Sequence, residues 1–322
     1  MLAVRARQAG GPEVLEAVDL PTPTPGPEQI LVRHEAVGLN YIDTYQRSGL
    51  YPIQFPAVLG TEGAGRVEAV GERVDRFKVG DAVAYAGVSG AYGELNAVPA
   101  SRAVALPAAV STRIAAAALL KGMTVEYLVR RTFKVQKGQN VFVHAAAGGV
   151  GLILCQWANH LGANVIGTVG SKEKAELAKA NGCHHTILYR DEDFVARTKD
   201  ITKGAMCSVV YDGIGKTTFP ASLDCLAPLG MFVSFGSASG QVEAFNINIL
   251  QTKGSLFATR PTLNTYAAKR ADLLDIASHL FEVVESGAVK IPVNQKYALK
   301  DAAKAHRDLE SRGTTGSSIL IP

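Results

Sequence analysis

The chain has 322 residues, and at roughly 150 residues per domain this length predicts two domains that can bury a core without disulfides or metals. Hydrophobic residues make up 47% of the chain and charged residues 19%, a composition that excludes wholesale disorder. The formal net charge of +4 comes without a dense lysine and arginine run, so nucleic acid is not an expected partner.

The cysteines and the N-terminus indicate a cellular compartment. The cysteines are widely separated and form no C-x-x-C pair, as is typical of reduced, buried thiols. The N-terminus lacks the apolar core of a signal peptide, and no stretch reaches the roughly 18 apolar residues of a membrane helix. We therefore expect a soluble, cytoplasmic protein without a membrane partner.

The N-terminal third predicts a β-rich domain. Residues 65–71 and 81–85 alternate apolar and polar side chains, and residues 30–38 do so in part. Segments rich in proline and glycine, such as residues 21–27, separate these strands. The spacing is typical of an antiparallel barrel or sandwich.

The pattern changes near Ser111, which begins a predicted helix over residues 111–121; a second helix is predicted over 124–131. Short apolar strands then alternate with helices, which predicts right-handed βαβ units and a doubly wound parallel sheet. The six predicted strands are residues 140–144, 164–169, 185–189, 208–212, 231–235 and 255–259.

After the sheet, one long helix is predicted over residues 265–286, then a strand at 290–291, a helix over 301–311 and a strand over 317–321. Residues 245–250 alternate like an exposed edge strand, which favours pairing of two subunits along a sheet edge. The pattern alone does not assign this tail to either domain.

The most specific local signal is the sequence VFVHAAAGGVG at residues 141–151, between a predicted strand and a predicted helix. It meets the G-x-G-x-x-G dinucleotide pattern at Gly148 and Gly151, while Ala146 replaces the first glycine. Gly148 lets the backbone approach a pyrophosphate, and the helix from Val150 directs its N–H groups at the phosphates. The alternative is a closely packed turn without a ligand.

The end of the second strand distinguishes between the two nicotinamide dinucleotides. An NAD site usually has a carboxylate about 20 residues past the loop, bound to the ribose hydroxyls. Here Gly170 and Ser171 occupy that place, and Lys172 and Lys174 add positive charge suited to a 2′-phosphate. This favours NADPH, unless the two lysines only form a solvated helix face.

The whole chain resembles the quinone oxidoreductase (zeta-crystallin-like) branch of the zinc-free medium-chain dehydrogenase/reductase superfamily. The most specific segments are GTEGAGRV at residues 60–67 and AAAGGVG at 145–151. The other matching segments are residues 23–27, 38–45, 47–52, 79–81, 233–236 and 259–261.

The resemblance implies an α/β fold in which a Rossmann NADPH-binding domain, residues 123–265, is inserted into a GroES-like β-rich catalytic domain, residues 1–122 plus 266–322. It implies reduction of a quinone or similar conjugated carbonyl compound by NADPH, in a cleft between the domains with the nicotinamide near residues 38–45. It also implies a cytosolic homodimer built through the Rossmann domains.

The zinc ligands of related alcohol dehydrogenases are missing from this chain. Asn40 stands where the resemblance places a cysteine ligand, and Thr61 where it places a histidine. Zinc needs about three thiolate, imidazole or carboxylate ligands, which these two residues cannot supply. No cysteine lies between Asp81 and Tyr92, where a structural zinc lobe would be, so we expect metal-free hydride transfer.

Three residues are predicted at the reacting centre. The Asn40 amide can donate to an oxygen that gains negative charge, and the phenols of Tyr45 and Tyr51 can stack on a flat quinone and donate a hydrogen bond. The alternatives are a loop-stabilising asparagine and two packing tyrosines. Asp43 is expected to cap the following turn.

The resemblance also supplies cofactor positions. Thr124 matches a hydroxyl near the nicotinamide carboxamide, although it is equally suited to a helix N-cap; Lys174 and Tyr189 match positions around the 2′-phosphate, and Arg260 can meet phosphate or ribose. His144 is expected to be a core histidine. The full expected set is Asn40, Tyr41, Tyr45, Thr124, Gly148, Gly149, Val150, Gly170, Ser171, Lys174, Tyr189, Phe235, Gly236, Ser237, Phe257 and Arg260.

Two other functions stay open. An alkenal or enone reductase would use the same scaffold and cofactor and differ only in its acceptor. In a different class, some relatives in this family are crystallin-like bulk lens proteins or bind AU-rich RNA. No RNA-binding motif or dense basic patch supports that role here.

Overall fold

The computed structural model describes all 322 residues, and its contacts divide the chain into two units. The β-rich unit comprises residues 1–123, 266–285 and 291–322, and the parallel-sheet unit comprises residues 124–265 and 286–290. The family resemblance implies that 286–290 belong to the β-rich domain. These residues group with the parallel sheet instead because both backbone polar groups of Lys290 bond to the Gln156 side chain, at 2.8 and 3.0 Å.

The regular elements are numbered in chain order. The strands are β1 Leu2–Ala6, β2 Leu15–Asp19, β3 Gln29–Leu39, β4 Ala57–Val58, β5 Glu62–Val70, β6 Ala82–Ala86, β7 Leu95–Pro99, β8 Ala103–Ala105, β9 Asn140–Val143, β10 Asn164–Val169, β11 His185–Leu188, β12 Cys207–Asp212, β13 Leu226–Ser234, β14 Phe257–Thr259, β15 Val293–Ala298 and β16 Ser317–Ile321. The α-helices are α1 Tyr41–Ser48, α2 Thr112–Tyr127, α3 Gly149–His160, α4 Lys172–Ala180, α5 Phe194–Ile201, α6 Asn248–Thr252, α7 Leu263–Tyr266, α8 Arg270–Glu285 and α9 Ala302–Glu310.

The β-rich unit contains two sheets. One has the order β2-β1-β4, and the other has the order β15-β16-β3-β5-β6-β8 with β7 also paired to β3. One hydrophobic core takes side chains from both sheets and from α9, including Val4, Ile30, Tyr85, Ala305 and Leu320. The C-terminal strand β16 pairs antiparallel with β3, so strands from both ends of the chain belong to the same sheet.

Strands β3 and β5 approach so closely that two positions on β5 must be glycine. A Cβ at Gly65 would overlap the carbonyl of Arg33, and a Cβ at Gly63 would lie 2.7 Å from Nε2 of His34. These glycines belong to the GTEGAGRV segment. The close packing of the two strands therefore explains the glycines of this segment. Glu62, from the same segment, is the first residue of β5.

The parallel-sheet unit has the strand order β11-β10-β9-β12-β13-β14, with every neighbouring pair parallel. This confirms the predicted doubly wound sheet. The direction of winding reverses between β9 and β12, the point at which such sheets bind ligands beside the carboxyl ends of their strands.

Some predicted elements differ from the structure. The two helices predicted over 111–121 and 124–131 form the single helix α2, which continues into a π-helical turn, Leu128–Thr132. Gly122 lies inside this helix, where its missing Cβ makes room for the Leu280 side chain. The predicted helix over 265–286 is divided into α7 and α8, and Arg102 donates to the backbone oxygen of Ala267 between them, at 2.7 Å.

The edge strand predicted over residues 245–250 is wrong. Asn246 accepts a hydrogen bond from the backbone N–H of Asn248 at 3.0 Å and so helps to begin helix α6. The actual edge strand on this side is β14. The strand predicted at 290–291 is also wrong, since pairing begins only at Val293. None of the helices is both long and apolar enough to cross a membrane.

Candidate active site

Asn40 lies between β3 and α1, in extended backbone geometry as the N-cap of the helix. Its backbone N–H donates to Oδ2 of Asp43 at 2.9 Å, so Asp43 caps this turn. Its side-chain Nδ2 donates to Oε2 of Glu62 at 2.8 Å. Only 6% of Asn40 is exposed, and its amide orientation is thus fixed by a buried carboxylate.

The fully buried carboxylate of Glu62 accepts two hydrogen bonds and lies beside one ammonium group. Besides Asn40, the backbone N–H of Leu120 donates to its Oε1 at 2.7 Å, and Nζ of Lys121 lies 3.5 Å from Oε2. Gly38 faces this carboxylate, where a Cβ would overlap Oε2. Sequence reasoning missed Lys121 as part of this cluster, and no local motif indicates it.

A second carboxylate, Asp43, lies at the other side of Asn40 and is also fully buried. Its Oδ1 accepts from the Thr61 hydroxyl and its Oδ2 from the Tyr92 hydroxyl, both at 3.0 Å. Burial raises the pKa of Asp43 to about 7, and its hydrogen bonds and the Lys121 charge oppose that rise. Burial and the neighbouring Asp43 charge raise the pKa of Tyr92 well above its ordinary value.

The network continues through Tyr92 to His306 and Arg47. Arg47 donates to Nδ1 of His306 at 3.1 Å, and Nε2 of His306 lies 2.9 Å from the Tyr92 hydroxyl. Burial and Arg47 lower the pKa of His306 to about 3. Because a guanidinium only donates, Nδ1 is the acceptor and the hydrogen bonds run from Arg47 toward Asp43. The network holds Asp43 and Asn40 in place, and its donor side is the Arg47 guanidinium, which also donates to Glu310 and does not release a proton.

The three predicted tyrosines are brought together beside Asn40. The ring of Tyr45 lies 5.2 Å from that of Tyr51 and 6.1 Å from that of Tyr41, measured between centroids. Tyr45 is 8% exposed, whereas Tyr51 and Tyr41 are half-buried. The hydroxyl of Tyr41 donates to the backbone oxygen of Leu309 at 3.1 Å. Of these rings, Tyr51 and Tyr41 thus offer more surface to a ligand than Tyr45.

The metal-ligand positions hold no zinc ligands in the structure. Asn40 turns its amide nitrogen to Glu62, and Thr61 donates its hydroxyl to Asp43. No three His, Cys, Asp or Glu side chains gather in an arrangement that suits a metal ion. The side chains at these positions instead take part in hydrogen bonds around the Asn40 amide.

In the parallel-sheet unit, the glycine loop joins β9 to α3. Gly148 is the N-cap of the helix, and no side chain caps its first N–H groups. A Cβ at Gly151 would overlap the carbonyl oxygen of Ala145, so Gly151 permits the close packing of helix on strand. A Cβ at Gly148 would meet only that same oxygen, at 3.2 Å, and would otherwise fill open space. The loop therefore has the shape and the free donors that a pyrophosphate needs.

His144, the residue after β9, anchors the start of this loop by two side-chain hydrogen bonds. Its Nδ1 lies 3.0 Å from the Thr168 hydroxyl and its Nε2 lies 3.0 Å from the Ser222 hydroxyl. Ser222 in turn donates to Asp212 at 2.9 Å, so one buried network ties β9 to β10 and β12. Burial lowers the pKa of His144. The histidine is a buried structural group, and sequence reasoning missed Thr168, Asp212 and Ser222 because their contacts join distant strands.

The end of β10 has the polar character that the sequence predicts. Ser171 is the N-cap of α4 and accepts from the backbone N–H of Lys174 at 3.3 Å. The Tyr189 hydroxyl would lie 3.0 Å from a Cβ at residue 170, so Gly170 leaves room for it. Lys174 is half-buried and Lys172 is exposed. The nearest carboxylate, Glu173, is exposed, and a hydrogen bond from Ser171 lowers its pKa.

The loops after β12, β13 and β14 pack together at the same edge of the sheet. Arg260 donates to the backbone oxygen of Ser234 at 2.8 Å and to the Ser237 hydroxyl at 3.2 Å. Gly236 is required there because a Cβ would meet the carbonyl oxygen of Gly213 at 2.5 Å. Phe235 lies beside Gly213, within 3.0 Å of where its Cβ would be.

Two predicted cofactor residues lie in regular elements and not in these loops. Phe257 begins β14, whereas the loops above follow the carboxyl ends of their strands, and Phe257 is 56% exposed. Thr124 lies inside α2 and not at its start, so the alternative of an N-cap is wrong.

Comparison with known proteins places this geometry in a family. Residues 26–108 match the model of the alcohol dehydrogenase GroES-like domain, and residues 149–271 match that of the zinc-binding dehydrogenases.

Relatives match nearly the whole chain. The quinone oxidoreductase of Pseudomonas aeruginosa is 52% identical over 97% of both chains, and the 2-haloacrylate reductase of a Burkholderia species is 41% identical over 100% of this chain and 99% of its own. The crystal structure of Escherichia coli quinone oxidoreductase complexed with NADPH superposes with a TM-score of 0.98 at 49% identity, covering 100% of both chains. The chain belongs to the quinone oxidoreductase branch of the medium-chain dehydrogenase/reductase superfamily.

Proposed function

We propose that this protein reduces quinones with NADPH, by hydride transfer without a metal ion. The observation that carries the proposal is the pairing of two features: an uncapped glycine loop with no carboxylate at the end of β10, and a buried amide where metal ligands would otherwise stand. The quinone oxidoreductases that share about half of its sequence support it, as does the NADPH in the Escherichia coli relative.

The parallel-sheet unit binds and orients the cofactor. Its residues suit the group in two places: the N–H groups at Gly148, Gly149 and Val150 would hold the pyrophosphate, and Lys174 and Tyr189 would hold the adenosine 2′-phosphate. Further contacts would come from Gly170, Ser171, Phe235, Gly236, Ser237 and Arg260, and Thr124 would contact the nicotinamide. NADPH supplies the hydride, and the protein supplies position and electrostatics.

The β-rich unit prepares the substrate. One hydrogen of the Asn40 amide is held by Glu62, and the second donates to the quinone oxygen as that oxygen gains negative charge. The half-buried ring of Tyr51, which packs against the buried ring of Tyr45, provides the aromatic surface on which a flat quinone stacks. The proton that completes the hydroquinone comes from solvent, because Asp43 and His306 are both enclosed in the buried network.

We propose further that two copies associate in the cytoplasm through the edge of the parallel sheet. Strand β14 has no partner on its outer side within the chain. Two exposed apolar residues lie in this part of the chain. Phe257 is the first residue of β14 and is 56% exposed, and Ile247 precedes helix α6 and is 69% exposed. An uncovered strand edge with apolar side chains is a typical surface for pairing of identical subunits.

The acceptor distinguishes quinone reduction from its main alternative. The 41% identity to a 2-haloacrylate reductase favours reduction of an activated C=C bond as the second candidate. NADPH oxidation at 340 nm is measured with 1,4-benzoquinone, 2-chloroacrylate and an α,β-unsaturated aldehyde at matched concentrations. We expect the highest kcat/KM for the quinone. Turnover of either alkene at a higher kcat/KM than the quinone would replace the proposal with the alternative.

A further inference from the structure

Lys121 carries the single buried side-chain nitrogen or oxygen that has no hydrogen-bond partner in the protein. The residue is 7% exposed, and its Nζ lies 3.5 Å from Oε2 of Glu62. A buried ammonium is costly unless an opposite charge lies beside it, and here that charge is a carboxylate with no exposed surface. The proposed reaction uses Glu62 to hold the Asn40 amide and gives no role to Lys121.

The carboxylate of Glu62 serves two donors that require an acceptor at both oxygens. Its Oε1 accepts from the backbone N–H of Leu120 at 2.7 Å, and its Oε2 accepts from the Asn40 amide at 2.8 Å. A neutral glutamine at 62 offers one acceptor only. Because a backbone N–H cannot turn and an asparagine amide can, the glutamine oxygen would go to Leu120, and Asn40 would reverse its amide.

We infer that Glu62 and Lys121 are positioning residues for Asn40. Lys121 balances the charge of Glu62, and Glu62 fixes the Asn40 amide so that its free N–H faces the substrate oxygen. Nζ of Lys121 is shielded from solvent, so it acts through Glu62 and not by touching substrate. The inference rests on the proposed function, since it explains how Asn40 donates in that reaction.

The decisive variant is the double substitution Glu62→Gln/Lys121→Met. Either single change leaves a buried unpaired charge and is expected to destabilise the protein, whereas the double variant removes both charges and keeps the side-chain volumes. We expect its Tm and its Kd for NADPH, from fluorescence titration, to stay near those of the wild type. Its kcat with 1,4-benzoquinone falls about 10- to 100-fold, the scale of a misplaced catalytic group. Wild-type kcat in a folded double variant would overturn the inference.

A second readout separates positioning from a general structural effect. If Glu62 and Lys121 act through Asn40, the same double substitution in an Asn40→Ala background lowers kcat no further, and a multiplicative loss in that background would contradict the inference. If the Glu62→Gln/Lys121→Met variant does not fold, Glu62→Gln/Lys121→Gln, which is likewise uncharged at both positions, is compared in both backgrounds by the same criterion.

The side-chain amide of Asn40 gives a readout that needs no turnover. In 15N-labelled protein, the wild type is expected to show one Asn40 amide proton protected from exchange by Glu62, and the Glu62→Gln/Lys121→Met variant is expected to lose that protection. Unchanged protection would refute the positioning role. A wild-type protein that oxidises no NADPH with any quinone would refute the proposed function, and the amide measurement then still tests the geometry independently.

Discussion

Asn40 illustrates what a residue type predicts and what it leaves out. The sequence predicts an amide near the reacting oxygen, and the resemblance places it there. Its orientation depends on Glu62, which is 22 residues away, and on Lys121, which is farther along the chain. Both contacts form only when β3, β5 and α2 pack, so no spacing in the sequence indicates them.

At the 2′-phosphate, the two lysines of α4 are not equivalent. Lys174 is half-buried beside the N-cap Ser171, whereas Lys172 is exposed. We predict that Lys174→Met raises the KM for NADPH about tenfold or more and leaves the KM for NADH unchanged, because a charged hydrogen bond contributes about 1.5–3 kcal/mol. Lys172→Met, in steady-state assays under the same conditions, serves as the control and changes the KM less than twofold. Equal effects of the two substitutions would contradict this assignment.

At the scale of elements, periodicity predicts the parallel sheet well because each strand and helix is a local pattern. The predicted boundaries differ from the structure for two reasons. Gly122 lies inside one continuous helix and packs against Leu280, a residue that a short sequence window does not include. Asn246 instead accepts a local hydrogen bond from the backbone N–H of Asn248, where a helix starts and alternation predicts a strand.

The glycine loop separates packing from ligand approach. A Cβ at Gly151 would overlap backbone atoms of the loop, whereas a Cβ at Gly148 meets only the Ala145 oxygen at 3.2 Å. We therefore predict that Gly151→Ala lowers the free energy of unfolding by about 1–3 kcal/mol, the usual cost of overpacking. Gly148→Ala is expected to weaken NADPH binding with a smaller loss of stability. Urea unfolding and fluorescence titration measure both, and the reverse order of stabilities would be inconsistent with the loop geometry.

The edge strand β14 carries the prediction about assembly. Phe257→Lys places a charge on the proposed pairing surface, so sedimentation velocity is expected to show a shift from dimer to monomer. Val79→Lys is the matched control, since Val79 is similarly exposed, at 62%, but belongs to the β-rich unit. A dimer that persists in the Phe257→Lys variant would rule out this surface.

At the scale of the whole molecule, the return of the chain is the feature that local patterns miss. Strand β16 pairs with β3, with Ser318 opposite Leu39, although nearly the whole chain separates them. Apolar alternation predicts that 317–321 is a strand but not which sheet it joins. The resemblance to a known family supplied that assignment, because it compares complete chains.

Buried titratable groups make stability depend on pH. Burial lowers the pKa of His34 from 6.5 to about 4 and, with Arg47, that of His306 to about 3. Both bind protons more weakly in the folded state, so the stability they contribute above pH 6.5 is lost as the pH falls toward those values. Asp43 acts oppositely, since its raised pKa favours the folded state at lower pH.

We predict that His34→Gln weakens the pH dependence of the free energy of unfolding between pH 6.5 and 5. The wild-type slope is expected to exceed that of the variant by up to one proton, or about 1.4 kcal/mol per pH unit. Urea unfolding at several pH values measures both slopes. Identical slopes would show that His34 does not titrate as its burial requires.

One kinetic comparison tests most directly whether the protein reduces quinones with NADPH and without a metal ion. The kcat/KM for NADPH and for NADH is measured with 1,4-benzoquinone as acceptor, in buffer containing a metal chelator. We predict metal-independent turnover with a preference for NADPH of about tenfold or more, from the charge that meets the 2′-phosphate. No NADPH oxidation with the quinone, loss of turnover on chelation, or equal use of NADH would contradict it.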